Sequence, residues 1–120
     1  MNNSKLHHFI EKWSEWKHVY HSDNKDNIIF QNEKLLSNVV FTLKAFHMIS
    51  KHLNGFEQIP ETIMNPDSVW SRWLDPEKQT TVLRNYIKGN YVVSTKDGVV
   101  EDAFSVGDTK RFKTGCILLI

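Results

Sequence analysis

Residues 80–104 read TTVLRNYIKGNYVVSTKDGVVEDAF, and this stretch has the clearest strand pattern in the chain. Glycine-containing breaks at Gly89-Asn90 and Lys96-Asp97-Gly98 divide it into three segments rich in β-branched and aromatic residues, a composition that favours strands. The Asp-Gly pair accepts the positive φ angles of a tight hairpin turn. The stretch therefore predicts three consecutive antiparallel strands at 80–88, 91–95 and 99–104.

A fourth strand is predicted at the end of the sequence. Val106-Gly107-Asp108 interrupts the strand pattern, and Gly115 precedes the apolar run 116–120. An apolar run without polar alternation is typical of a strand that is buried on both faces. We therefore place this run in the middle of a four-stranded antiparallel sheet.

The first half of the chain has the periodicity of helices. Between Ser4 and Tyr20, apolar residues recur every three or four positions, which predicts an amphipathic helix. A second helix is predicted from about Asn32 to Asn54-Gly55, with its inner face formed by Leu35, Leu36, Val39, Val40, Leu43, Phe46 and Ile49. Short helical pieces are predicted at Glu61–Met64 and Pro66–Leu74.

Together these patterns predict one α+β domain over residues 1–120. N-terminal helices at 1–76 would pack on the antiparallel sheet at 77–120. All six histidines lie before residue 53 and all five glycines lie from Gly55 onward, which marks the change from helix to sheet. A chain of 120 residues is long enough for one hydrophobic core.

The composition excludes several classes of protein. With 40% hydrophobic and 24% charged residues, the chain is neither disordered nor collagen-like, and a single cysteine, Cys116, cannot form an internal disulfide. We predict neither a transmembrane helix nor a signal peptide, because no apolar run is long enough. The net charge of +1 indicates no overall basic field for nucleic acid.

One candidate anion site lies on the first predicted strand. Arg84, Tyr86 and Lys88 alternate along it, so their side chains leave one face of the sheet. Two cations beside a phenol suit a phosphate group and can stabilise negative charge that develops on it. The alternative is a solvent-facing surface that carries an amphipathic tyrosine.

A second candidate is the dense basic cluster at 109–114. It interleaves hydroxyls and cations in the order Thr109-Lys110-Arg111-Phe112-Lys113-Thr114, a composition that suits a phosphate backbone. The alternative is a solvated edge that protects the sheet from aggregation.

The histidines are the candidate acid–base groups, because imidazole titrates near neutral pH. His47 falls on the apolar stripe of the predicted second helix and should point inward, whereas His52 lies near the end of that helix. His18 and His21 have a spacing that suits a metal, but no further ligand follows, so we predict no metal and no cofactor.

Two pairs of tryptophans share one spacing, at Trp13-x-x-Trp16 and Trp70-x-x-Trp73. Stacked bases are one use for such pairs. Aromatic pairs at helical spacing usually belong to a core, and we assign both pairs to packing. The chain has no P-loop, dinucleotide fingerprint, G-x-S-x-G or C-x-x-C motif.

The segment from Ile59 to Trp70, with its Asn65-Pro66-Asp67 element, is similar to a segment of phage-type and polymorphic-toxin nuclease domains. The runs 84–88, 91–93 and 99–104 match the same pattern. Over about residues 35–120, the chain resembles the barnase/EndoU/colicin/RelE superfamily of small ribonucleases. One position departs: Asp102 stands where phage-type members often have threonine, and a carboxylate there either acts as a base or repels phosphate.

The resemblance implies metal-independent RNA cleavage through attack of the 2′-hydroxyl, which yields a 2′,3′-cyclic phosphate. Arg84, Lys110 and Arg111 would bind and stabilise the phosphate, with Lys88 and Lys113 as further RNA-binding cations. Tyr86, Ser105 and Thr109 would orient the substrate. His47 or His52 would be the acid–base group.

The resemblance also implies the biological setting. The chain would be the C-terminal toxin domain of a secreted effector that acts in the cytoplasm of a target cell, or else a cytoplasmic protein. It would be a monomer that cleaves tRNA or other RNA, away from membranes, and a cognate immunity protein would neutralise it. Two alternatives stay open: a non-enzymatic protein-binding module of adaptor or immunity type, and a nucleic-acid-binding domain without catalysis.

Overall fold

The fold was analysed in a computed structural model that describes residues 3–50 and 56–120, with side chains from Phe9 onward. The elements in chain order are α1 (Asn3–Val19), β1 (His21–Ser22), β2 (Ile28–Asn32), β3 (Ser37–Phe41), α2 (Leu43–Ser50), a 3₁₀ turn (Phe56–Gln58), α3 (Ile59–Met64), β4 (Ser68–Trp73), β5 (Val82–Lys88), β6 (Tyr91–Lys96), β7 (Val99–Ser105), a second 3₁₀ turn (Lys110–Phe112) and β8 (Ile117–Leu118).

The three-stranded meander predicted from residues 80–104 is confirmed as β5, β6 and β7. Each strand pairs antiparallel with the next, with Tyr86 opposite Val93 and Val93 opposite Ala103. The turn between β6 and β7 has φ of 49° at Asp97 and 80° at Gly98, as the Asp-Gly pair predicted. The first helix is also confirmed, as α1.

The prediction of one long helix from Asn32 is wrong before Leu43, because β2 and β3 form a hairpin there. The hairpin turn is fixed by Asn32, whose Oδ1 accepts a hydrogen bond from the Leu35 backbone amide at 2.9 Å. Leu36 has φ of 51°, which a helix does not permit. Val39 and Phe41 are fully buried while the intervening Val40 is not, the alternation of a strand. The predicted end at Asn54-Gly55 lies outside the described residues.

The prediction of a helix at Pro66–Leu74 is wrong over its whole length. Ser68–Trp73 forms β4, which pairs with β5 along its whole length. The last apolar run was expected in the middle of the sheet, but β8 is an edge strand of two residues. It pairs only with Trp70 and Ser71, and Ile117 is 72% exposed.

Within residues 3–50 and 56–120, the sheet therefore has eight strands and not four. Their order is β1-β2-β3-β7-β6-β5-β4-β8, and all pairs are antiparallel except β3 with β7, which meet in parallel at Val40 and Val99. The α+β class is confirmed, whereas the four-stranded antiparallel sheet is replaced by a larger mixed one. The extra strands come from the half of the chain that was predicted to be helical.

The main core lies between the helices and one face of the sheet, which we call the inner face. Tyr86, Val93 and Ala103 point into it, together with Trp13 and Trp16 of α1. The opposite, outer face carries Asn85, Ser94 and Phe104, and the segment 106–116 folds over part of it. Among the described residues, no helix is both long and apolar enough to span a bilayer.

Candidate nucleic-acid interface

The predicted site residues are divided between the two faces of the sheet. Arg84, Tyr86 and Lys88 share a face, as their alternation predicted, but it is the inner face that the helices cover. Tyr86 is only 1% exposed and belongs to the core. This phenol therefore has no surface to offer a substrate.

Both cations beside Tyr86 also lie on the inner side of the sheet. Lys88 Nζ donates a hydrogen bond to the Asn65 carbonyl oxygen at 2.7 Å and lies 3.8 Å from Glu61 Oε1. Arg84 is partly buried, and its Nε has no hydrogen-bond partner among the described residues. Neither cation contributes to the outer face.

The histidine predictions have different outcomes. His47 was expected to point inward, but it is exposed because the buried side of α2 is formed by Ala45, Phe46 and Ile49. It lines a groove of about 150 Å³ between α1 and α2. His52 lies outside the described residues.

The basic cluster 109–114 lies on the outer face and is anchored there. The Phe112 ring packs at a tilt against Phe104 of β7 with 5.1 Å between ring centroids, and the Phe112 carbonyl oxygen accepts a hydrogen bond from Asn85 Nδ2 at 3.0 Å. Asn85 Oδ1 in turn accepts a hydrogen bond from Ser94 Oγ at 2.8 Å. These contacts hold the cluster against β5, β6 and β7.

The cations of this cluster are presented beside aromatic rings. The Arg111 guanidinium lies 4.6 Å from the centroid of Phe112, and Lys113 Nζ lies 5.7 Å from the ring of Trp70. Lys110 is exposed, and Thr109 begins the 3₁₀ turn that carries it. Ser105 is exposed at the end of β7. It pairs with Tyr91, so its side chain lies on the inner side of the sheet.

A pocket of about 270 Å³ opens on the outer face beside the cluster. Arg72 of β4 and Arg111 supply two cations, Glu101 of β7 supplies the one carboxylate, and Asn85 and Ser94 supply polar groups. Glu101 reaches this pocket because β7 is irregular there. Ser94 pairs with Asp102 but Thr95 pairs with Val100, so Glu101 is the extra residue of a bulge.

Two further pockets adjoin this one. One of about 510 Å³ shares Arg72, Arg111 and Thr114 with it and extends to the edge of the sheet at Trp73 and Ile117. The other, of about 590 Å³, shares only Glu101 and lies between α2 and the β6–β7 turn. Its two lysines are balanced by two carboxylates, so it carries no formal excess of positive charge.

Asp102, which departs from the ribonuclease pattern, lies at the bulge beside Glu101. Its Oδ1 accepts a hydrogen bond from the Ala103 backbone amide at 2.9 Å. On the inner side, burial raises the pKa of Tyr91 far above its usual value, and the nearby carboxylates of Glu57 and Asp102 raise it further.

The described residues contain no cluster of three side chains that could hold a metal ion.

Sequence reasoning missed Arg72, Glu101 and Asn85. No clear signal marked Arg72, because the strand Ser68–Trp73 does not alternate polar and apolar residues and the spacing of Trp70 and Trp73 suggested a helix. The signal for Glu101 was the broken alternation in Val99-Val100-Glu101-Asp102, which indicates a bulge. Nothing local to Asn85 indicated its contact with Phe112, 27 positions away.

Comparison with protein-family models, with curated proteins and with solved structures finds no match for this chain.

Proposed function

We propose that the outer face binds RNA and cleaves it without a metal. The observation that carries the proposal is a pocket lined by one carboxylate, Glu101, and two guanidinium groups, Arg72 and Arg111. Guanidinium groups bind phosphate through paired hydrogen bonds, and a carboxylate can accept a proton from a hydroxyl. The resemblance to small ribonucleases supports the same chemistry.

In the proposed reaction, Arg72 and Arg111 hold the non-bridging oxygens of a phosphodiester. Glu101 takes the proton of the ribose 2′-hydroxyl, and the 2′ oxygen forms a bond to phosphorus. The bond from phosphorus to the 5′ oxygen breaks, and that oxygen takes a proton from solvent water. The products are a 2′,3′-cyclic phosphate and a 5′-hydroxyl, and the two cations stabilise the charge that develops on phosphorus.

This assignment changes the set of site residues. Arg111, Lys110 and Lys113 keep their proposed roles toward phosphate, because they lie on the outer face. Arg84, Tyr86 and Lys88 leave the proposed site, because the helices cover their face. Arg72 and Glu101 enter it because they line the pocket.

The test is incubation of the protein with total RNA in EDTA. We expect cleavage, with 2′,3′-cyclic phosphate ends detected by mass spectrometry. Glu101→Gln should slow cleavage by at least about a hundredfold, the usual contribution of a general base. Glu77→Gln is the matched control, because Glu77 is an exposed carboxylate in the β4–β5 turn, outside all three pockets.

Arg111→Ala separates this proposal from a protein-binding module. It should abolish cleavage while the midpoint of thermal unfolding stays unchanged, because the side chain is exposed. If the enzyme is a toxin, expression in the bacterial cytoplasm should arrest growth and Arg111→Ala should relieve the arrest. Intact RNA in every size class, with the protein shown to be folded, would refute the proposal.

A further inference from the structure

Trp73 differs from Trp70, the other tryptophan of β4, in its contacts and exposure. The ring of Trp70 is already covered by Lys113, and its Nε1 donates a hydrogen bond to Ser68 Oγ at 3.0 Å. Trp73 lies at the end of β4, past the two residues that β8 pairs, and remains 38% exposed. A tryptophan so placed is available to an outside partner.

The pocket beside Trp73 lies at the edge of the sheet and is lined by both apolar residues and cations. Trp73, Pro76 and Ile117 form the apolar part, while Arg72 and Arg111 border it. No carboxylate is among the described residues that line this pocket, in contrast to the other two pockets. Its charge therefore complements an anion, and its apolar residues complement a flat apolar group.

The pocket shares both arginines with the one that holds Glu101. A phosphate held by these arginines would leave the adjoining base within the volume of about 510 Å³ next to Trp73. Bases of single-stranded nucleic acids stack on aromatic side chains in this way, with little dependence on sequence. A base paired within a duplex cannot do so.

We propose that this pocket is a nucleobase subsite in which the base next to the bound phosphate stacks on Trp73. The inference rests on the proposed function and deepens it, because it makes single-stranded RNA the substrate. The tryptophan then supplies affinity for the neighbouring nucleotide, and the arginines supply affinity for the phosphate.

The experiment measures binding, so that it does not depend on cleavage. Fluorescein-labelled single-stranded RNA is titrated with the Glu101→Gln protein, and fluorescence anisotropy is recorded. Adding Trp73→Ala should weaken binding by roughly 5- to 150-fold, the range for loss of one stacked base. Trp73→Phe keeps a stacking ring and should remain close to Glu101→Gln alone.

Leu74→Ala is the matched control, because Leu74 is 50% exposed, adjacent in sequence and outside the pocket. An abasic scan of the oligonucleotide identifies the stacked position. At one position of the oligonucleotide, removing the base should weaken binding to the Glu101→Gln protein. The same removal should not change binding to the protein that carries both Glu101→Gln and Trp73→Ala. Duplex RNA of the same length should be insensitive to Trp73→Ala.

Equal binding by the Trp73→Ala and Leu74→Ala proteins would overturn the inference, as would equal losses for single-stranded and duplex RNA. These results are separate from the cleavage test. Cleavage with no effect of Trp73→Ala refutes the subsite alone. Binding that depends on Trp73 without any cleavage refutes the enzymatic activity alone.

Discussion

At the scale of single residues, Tyr91 has a buried hydroxyl that lowers the stability of the fold. Its side chain is only 2% exposed, and its hydroxyl has no hydrogen-bond partner among the described residues. A buried hydroxyl without a partner loses its hydration and gains nothing in return. The same burial raises the pKa of Tyr91, because the phenolate is disfavoured there.

Tyr91→Phe should therefore stabilise the protein. We expect the free energy of unfolding at neutral pH to rise by about 1 kcal/mol. The gain should grow above about pH 10, because tyrosine in the unfolded chain ionises there while folded Tyr91 stays protonated, so the stability of the wild type falls as pH rises. Urea denaturation at pH 7 and at pH 10.5 measures both effects. A variant less stable than the wild type at pH 7 would show that the hydroxyl is satisfied.

At the scale of elements, the β6–β7 hairpin organises the sheet. Its turn brings Gly98 to the parallel junction, where the Gly98 carbonyl oxygen accepts a hydrogen bond from the Val40 backbone amide at 2.7 Å. Gly98 has φ of 80°, a conformation that other residues rarely adopt. A Cβ there would meet only the Asn38 carbonyl oxygen at 3.6 Å, an ordinary contact, so the requirement for glycine is conformational.

Gly98→Ala should destabilise the protein by about 1–2 kcal/mol, the cost of a left-handed conformation in a residue with a Cβ. Gly107→Ala is the control. Gly107 lacks a positive φ, and a Cβ there would meet nothing within 4 Å, so it should be nearly neutral. Guanidinium denaturation of both variants gives the comparison. Equal effects would show that turn geometry does not limit stability.

At the scale of the whole molecule, two parts of the sheet are joined by a single pair of strand residues, Val40 and Val99. The aromatic core compensates for this short junction. Phe46 of α2 is 2% exposed and lies at its centre, with ring centroids 5.0–6.4 Å from those of five other aromatic residues: Phe9, Trp13, Trp16, Phe41 and Phe56. These rings tie α1, α2 and β3 into one core.

Phe46→Ala should reduce the free energy of unfolding by about 3–5 kcal/mol, because it leaves a cavity among rigid rings. The buried Trp13 and Trp16 report the transition through their fluorescence in guanidinium chloride. Val19→Ala is the control, since Val19 is 66% exposed at the end of α1, and its effect should stay within about 0.5 kcal/mol. A small loss for Phe46→Ala would mean that strand pairing, and not this core, joins the two parts.

The net charge of +1 is also a property of the whole molecule, and it concealed a local excess. Arg72 and Arg111 line a pocket whose described lining residues include no carboxylate, although acidic and basic residues balance over the chain. Arg72 was not identified from the sequence because its strand was predicted as a helix. The net charge sums the charges on both faces of the sheet, and the fold is needed to assign each charge to a face.

Local sequence was sufficient to predict the features that depend on neighbouring residues. Asp97-Gly98 specified the hairpin turn, the spacing from Phe9 to Trp16 specified α1, and the strand-forming segments specified β5, β6 and β7. The cluster 109–114 was also evident as a basic loop. In each case, the physical cause is local: backbone conformation, side-chain periodicity or charge density.

Which face of the sheet carries the candidate site depends on long-range packing. Alternation places Arg84, Tyr86 and Lys88 together, but it cannot tell whether helices or solvent cover them, because that depends on packing by α3 and its neighbours. The position of the β2–β3 hairpin beside β7 and the edge position of β8 likewise depend on distant partners. The candidate site gathers Arg72, Glu101 and Arg111 from separate segments, and they reach one pocket through long-range strand pairing and the packing of the 106–116 segment on the outer face.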